Sequence, residues 1–201
     1  MLNIVLHEPE IPANTGNIGR TCVAAGARLH LIEPLGFRLD EKSLKRAGMD
    51  YWKDLDVTTY IDYQDFLNRN PGARIYMATT KASAVYTDVR YEPDCYIMFG
   101  KESAGIPEEI LVEHQETCVR IPMMGEIRSL NLGNSVAIVL YEALRQNGFA
   151  GMSTEGHLAP PVLGLKTAES HMHPLRMCVV FLSLIAGYDL YKSNERRKYK
   201  E

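Results

Sequence analysis

The chain is predicted to be an α/β protein with a largely parallel sheet flanked by helices. Two observations lead there. Short apolar runs of strand length alternate with helical segments, and most of those runs are apolar on both faces, as strands are when helices cover the sheet above and below. The 201 residues suffice for one domain of ordinary size. A composition of 46% hydrophobic and 23% charged residues is that of a globular protein.

The elements follow in order. "LNIVLHEP" opens as a strand with Leu2, Ile4, Val5 and Leu6 apolar, stopped by Pro9. "NTGNIGRTCVAAG" (14–26) reads as a helix, with Asn14 or Thr15 as N-cap, Ile18, Cys22 and Val23 as its buried stripe and Gly26 as its stop. "RLHLIEP" (28–34) is a second strand, and "DEKSLKRAG" (40–48) a short helix with an Asp cap. "YQDFLNRNPG" (63–72) is a helix ended by Asn70-Pro71-Gly72, and "ARIYMATT" (73–80) and "CYIMFG" (95–100) are strands. "PEEILVEH" (107–114) starts on proline with acids in its first turn, as the helix dipole favours. "CVRIPM" (118–123) is a further strand and 131–146 a long helix. Its run "VAIVLY" is apolar nearly all round, so burial on two sides is expected, with a second copy of the chain as the simplest second cover. Residues 151–201 break the α/β rhythm and read as an appended helix, a tail or sequence foreign to the ancestral domain.

Charge and targeting narrow the function. The net charge is −3, and residues 1–150 hold 15 Lys+Arg against 20 Asp+Glu, which argues against a non-specific DNA binder. "KSLKR" (42–46) with Arg20, Arg28 and Lys53 offers a local basic patch for RNA, or simply a solvated helix face. The opening "MLNIVLHEP" lacks the basic and long apolar regions of a signal peptide. "MCVVFLSLIAGY" (177–188) falls short of the roughly 20 residues that cross a bilayer. No membrane association is expected, and the cytoplasm is the expected compartment. Four scattered cysteines, Cys22, Cys95, Cys118 and Cys178, show no metal-ligand spacing and read as buried thiols. "HMH" (171–173) is an isolated pair of histidines in an irregular stretch, and no metal is expected.

The chemistry is expected in the loops beyond the carboxyl ends of the strands. Three of them are polar and carry glycine: "IPANTGNIGR" (11–20), "GKESAGIP" (100–107) and "MGEIRSLNLGNS" (124–135). Gly16 and Gly19 do not make a dinucleotide fingerprint, and no P-loop lysine follows. A helix N-terminus with Arg20 inside it suits a phosphate or other oxyanion, but the same residues also serve as a plain cap and a solvated arginine. Glu102 could cap "SAGIP" or pair with Arg20, while Ser129 and Asn131 offer hydroxyl and amide groups beside Gly133.

These loops resemble the three motifs of the SPOUT (α/β-knot) superfamily of RNA methyltransferases, in its 2′-O-ribose branch. "MLNIVLHEPEIPANTGNIGRTC", "LHLIEPLGF", "RAGMDYW", "MFGKESAGIP", "RIPM" and "RSLNLGNSVAIVLYEALRQ" look, in order, like the tRNA (cytidine/uridine-34-2′-O)-methyltransferases of the wobble position. The resemblance implies a C-terminal trefoil knot in the domain, S-adenosylmethionine as methyl donor, tRNA as substrate and a homodimer. It implies catalytic roles for Asn14, Arg20, Glu102, Ser129 and Asn131. The cofactor is expected against Ala78, Thr79, Gly100, Ile121, Ser129 and Leu130. Another tRNA or ribosomal RNA ribose is the alternative target, and a non-catalytic RNA-binding module the alternative class. Residues 150–201 have no counterpart in the compact members, and Gly19 and Gly133 stand where some carry larger residues.

Overall fold

The computed structural model describes residues 1–38, 50–125 and 127–158. The helix expected over 40–48, the "HMH" histidines, Cys178 and the basic end of the chain lie outside these residues. Residues 1–155 form one compact unit, and of the second unit, 156–201, only 156–158 are described.

The strands are β1 (Asn3–His7), β2 (Arg28–Ile32), β3 (Val57–Tyr60), β4 (Ile75–Ala78), β5 (Ala84–Val85), β6 (Tyr96–Phe99) and β7 (Cys118–Arg120). Among the described residues they make one sheet in the order β3-β2-β1-β6-β4-β7-β5, parallel at every pairing. The helices are α1 (Pro12–Ala25), α2 (Tyr63–Arg69), α3 (Glu108–Glu113) and α4 (Leu132–Gln146), with short 3-10 turns at Asp50–Asp54 and Gln115–Thr117.

Alternation along the strands builds three layers. In β1, Ile4 and Leu6 point to the face covered by α1 and α4, and Val5 to the face covered by α2 and α3. In β6, Ile97 and Phe99 join the first cluster and Met98 the second. The central strands are apolar in both directions because both faces are covered.

Several boundaries differ from expectation. Helix α1 starts at Pro12, with Ile11 as N-cap, so Asn14 and Thr15 are buried residues of the first turn and not caps. Proline at the first helical position brings a fixed φ and has no amide to satisfy, which lets the helix start early. The strand expected over 28–34 stops at Ile32, and Asp62, whose side chain accepts from the Asp65 amide, caps α2. Strands β3 and β5 carry no strong sequence signal; β5 is two residues that pair with the edge of β7.

Helix α4 takes part of its cover from within the chain: Val136, Val139, Leu140, Ala143 and Leu144 are buried, and α1 supplies that part. At Gly133 a Cβ would be tight against the Asn131 Oδ1 of the same helix start (3.3 Å) and in ordinary contact with the Asn17 Cβ of α1 (3.7 Å). Tyr141, on the outer side, is 42% exposed. Gln146 fastens the other end, accepting from the Tyr91 amide (3.0 Å) and donating to the Val89 carbonyl (3.0 Å).

Outside the crevice, a polar chain links β6, β3, β2 and β1 on the α2 face. Tyr96 Oη–H donates to Asn70 Oδ1 (3.0 Å), and Asn70 Nδ2–H donates to Tyr60 Oη (3.2 Å). The Tyr60 proton is then directed to His30 Nδ1 (2.8 Å), which leaves His30 Nε2–H to donate to Asn3 Oδ1 (3.2 Å). His30 is therefore neutral, and burial pushes its pKa down to about 4. Since the unfolded chain takes up a proton near pH 6.5 and the folded one does not, stability falls as pH drops from 6.5 toward 4, by roughly 3 kcal/mol at most from this group. Urea unfolding at pH 7 and pH 4.5 checks this. A His30→Asn protein that loses as much stability over that interval as the wild type would refute it.

Candidate active site

Four loops at the carboxyl ends of β1, β4, β6 and β7 enclose one cavity of about 430 Å³. Strand β6 lies between β1 and β4, and the chain leaves β1 toward β2 on one side but leaves β6 toward β7 on the other. The loops diverge there and open a crevice. Phe99, Ile106, Val119 and Val139 give it an apolar floor, and Thr79, Ser129 and Asn131 polar edges.

The β6–α3 loop folds back on itself. The Gly105 amide donates to the Lys101 carbonyl (2.8 Å), and Gly105 takes a φ of +78°. A Cβ on Gly100 would lie 1.9 Å from the Gly105 carbonyl carbon and 2.1 Å from the Ile106 nitrogen, so only glycine fits.

Glu102, in this turn, is half-buried and fully engaged. Its Oε2 accepts from the Glu10 amide (2.8 Å), and its Oε1 accepts from the Ile11 amide (3.3 Å) and from Asn14 Nδ2 (2.8 Å). It caps the β1–α1 turn, not the "SAGIP" segment. Asn14 Oδ1 in turn accepts from Asn131 Nδ2 (3.0 Å), and Asn131 Oδ1 accepts from the Asn134 amide at the start of α4 (3.3 Å). Both amide orientations are set: Asn14 must present nitrogen to the carboxylate, so its oxygen faces Asn131. This string joins three loops that are 88 and 117 residues apart in sequence.

The structure thus brings together Asn14, Glu102, Ser129 and Asn131, with Ala78, Thr79, Gly100, Ile121 and Leu130 around the same cavity. It does not place Arg20 among the lining residues. Arg20 is exposed on α1, six positions beyond Asn14, which displaces its Cα by about 9 Å along the axis and about 120° around it. The rim also holds residues that sequence reading passed over. Arg128 donates to the Ser103 carbonyl, Lys81 pairs with Glu108, and Lys101 pairs with Glu8 at 2.8 Å. Basic residues in the loops that follow strands were the available signal, but not which acid or carbonyl each would meet. The thiols stand apart from this chemistry: Cys22, Cys95 and Cys118 are buried, and burial pushes Cys22 and Cys95 up to about 12.

A parallel sheet with its polar, glycine-bearing loops gathered around one cavity defines the class: the chain belongs to the SpoU rRNA methylase family, which it matches over residues 1–141. Within the class its similarity is to the wobble-position enzymes. It is 49% identical over 152 residues to the tRNA (cytidine(34)-2′-O)-methyltransferase of Escherichia coli K12, which covers 75% of this chain and 97% of that protein. The protein of the same description from Photorhabdus asymbiotica is 48% identical over 158 residues, covering 75% and 97%. A solved structure described as giving insight into 2-OH methylation of C/U34 on tRNA superposes with a TM-score of 0.69 at 44% identity, over 74% of this chain and 97% of that one. An AdoMet-bound rRNA methyltransferase from Sinorhizobium meliloti gives a TM-score of 0.63 at 28% identity, over 72% and 56%.

Proposed function

We propose that this chain transfers the methyl group of S-adenosylmethionine to the ribose 2′-hydroxyl of nucleotide 34, cytidine or uridine, in tRNA. The observation that carries this reading is the single cavity that gathers the matched motifs, together with near 50% identity to enzymes described by that reaction. The cavity suits the cofactor. Its volume lies in the usual range for small-molecule sites, and the missing Cβ of Gly100 leaves backbone as its wall. Ala78, Thr79, Gly100, Ile121, Ser129 and Leu130 would hold the cofactor, which supplies a methyl already activated on a sulfonium, so the reaction needs no metal to polarise it.

The remaining difficulty is the ribose hydroxyl, a weak nucleophile at neutral pH. Much of the barrier is therefore positional. The Glu102–Asn14–Asn131 string holds the cavity wall rigid, and Asn131 anchors α4 beside Ser129. Arg20, a permanent cation, is suited to steady the developing oxyanion and the neighbouring phosphate, and it is ill suited to accept a proton. The proton passes to phosphate or water. Residues 1–149 carry this activity, with 150–201 as an appended segment. The outer face of α4 around Tyr141 supports pairing of two chains, which sedimentation would test, and a tRNA substrate implies the cytoplasm.

The test is methyl transfer from labelled S-adenosylmethionine to unmodified tRNA, followed by nuclease mapping. Label at the 2′-O of nucleotide 34 is expected with the wild type, and loss of about a thousandfold in turnover with Arg20→Ala, the scale of one lost transition-state donor. Cofactor affinity should survive that substitution, since Arg20 lies outside the cavity lining. Label at another ribose would reassign the substrate, and parallel loss of cofactor binding in Arg20→Ala would reassign that residue.

A further inference from the structure

We infer that Glu10 is a positioning residue for this reaction: through Ser103 it fixes the place at which Glu102 meets Asn14. The inference rests on the reading of the cavity as a methyl-transfer site. Two loops exchange carboxylates here. Glu102 of the β6–α3 loop accepts the amides of Glu10 and Ile11, and Glu10 of the β1–α1 loop answers by accepting from Ser103. The Ser103 amide donates to Glu10 Oε2 (2.9 Å) and its hydroxyl to Oε1 (2.8 Å). Each acid is bonded to the other's loop, and the four groups close a ring over residues 10–11 and 102–103.

The ring has support on two sides. Behind Glu10, Gly36 packs so closely that a Cβ would lie 2.5 Å from the Glu10 carbonyl oxygen, and the Gly36 amide donates to the Pro9 carbonyl (2.9 Å). The backbone of 9–10 is therefore backed by the chain after β2. In front, Arg128 donates to the Ser103 carbonyl, so the β7–α4 loop is fastened to the same residue. Glu10 does not line the cavity, and its influence passes through Ser103 to Glu102 and on to Asn14 and Asn131. Hydrogen bonds to a carboxylate are shorter and stronger than neutral ones, and the two from Ser103 hold the Glu10 carboxyl below its ordinary range. Without them the Glu102 turn keeps its contacts to 10–11 but gains freedom to shift, and small shifts of a reacting geometry cost large factors in rate.

The experiment is steady-state methyl transfer to unmodified tRNA by the full chain as wild type, Glu10→Ala, Glu10→Gln, Ser103→Ala and the double alanine variant. Glu10→Ala should lower kcat about tenfold or more while KM for S-adenosylmethionine moves less than about threefold. Glu10→Gln, whose amide oxygen still accepts from the Ser103 amide, should recover most of kcat. The double variant should be no worse than Glu10→Ala, because Glu10→Ala already removes the acceptor of the Ser103 hydroxyl. A wild type that transfers no methyl would overturn the functional reading, and the inference with it. An active wild type with kcat in Glu10→Ala within about twofold, losses that multiply in the double variant, or no recovery in Glu10→Gln would overturn the role of Glu10 alone. Should Glu10→Ala fail to fold, Glu10→Asp decides: its carboxylate is one methylene too short to keep both Ser103 donors, and a wild-type kcat there refutes the ring.

Discussion

Gly100→Ala is expected to destroy cofactor binding and to lower stability by more than the 1–3 kcal/mol typical of an overpacked core, roughly 4 kcal/mol or more. The new methyl would meet backbone atoms of Gly105 and Ile106 at about 2 Å, and backbone cannot rotate aside as a side chain can. The turn must open, and with it go the Gly105–Lys101 hydrogen bond and the position of Glu102. Calorimetric titration with S-adenosylmethionine and thermal unfolding check both parts. An alanine protein that binds the cofactor within a factor of about three of wild type would show that the turn is softer than its geometry implies. Gly105→Ala offers a contrast, since nothing lies within 4 Å of its missing Cβ and only its φ of +78° resists the change. It should cost about 1 kcal/mol.

Asn14→Asp is the second large effect. Asn14 is 7% exposed, and its nitrogen stands 2.8 Å from the Glu102 carboxylate. Putting a carboxylate oxygen there turns a donor–acceptor contact into two facing acids, at a cost on the order of 3 kcal/mol, or about a hundredfold in rate. The sign of its pH dependence identifies the cause. A single proton shared between the two acids restores the contact, so relative activity of the variant should rise as pH falls from 8 to 6. Asn14→Ala removes the same bonds without adding charge, and it should show a smaller loss with no such rise. Equal losses in the two variants, both flat with pH, would mean that Asn14 acts through its own contact with the substrate and not through Glu102.

Local pattern made some of this legible and left some of it hidden. The apolar runs of β1, β2, β4, β6 and β7 were readable because a strand covered on both faces is apolar at successive positions. The long α4 was readable because the apolar run Val136–Tyr141 follows a polar helix start without a break. Strand β5 was not, since two residues carry no period, and Ala84–Val85 becomes a strand only because β7 offers it an unpaired edge. Asn14 was legible as a polar residue at a helix start, but its burial was not. Pro12 moved the start of α1 forward, and the carboxylate that makes that burial possible lies 88 residues away.

The sequence by itself determined the class of fold, the loops in which the polar residues fall and the family to which they belong, because each of these is written in contiguous residues. Tertiary structure alone decided the rest. It placed Arg20 off the cavity wall, gave both oxygens of Glu102 to the neighbouring loop, set Glu10 opposite Ser103 and turned Asn14 toward Asn131. Such choices depend on distances between loops that strand order brings side by side, and hydrogen bonds operate over about 3 Å, whatever the separation along the chain.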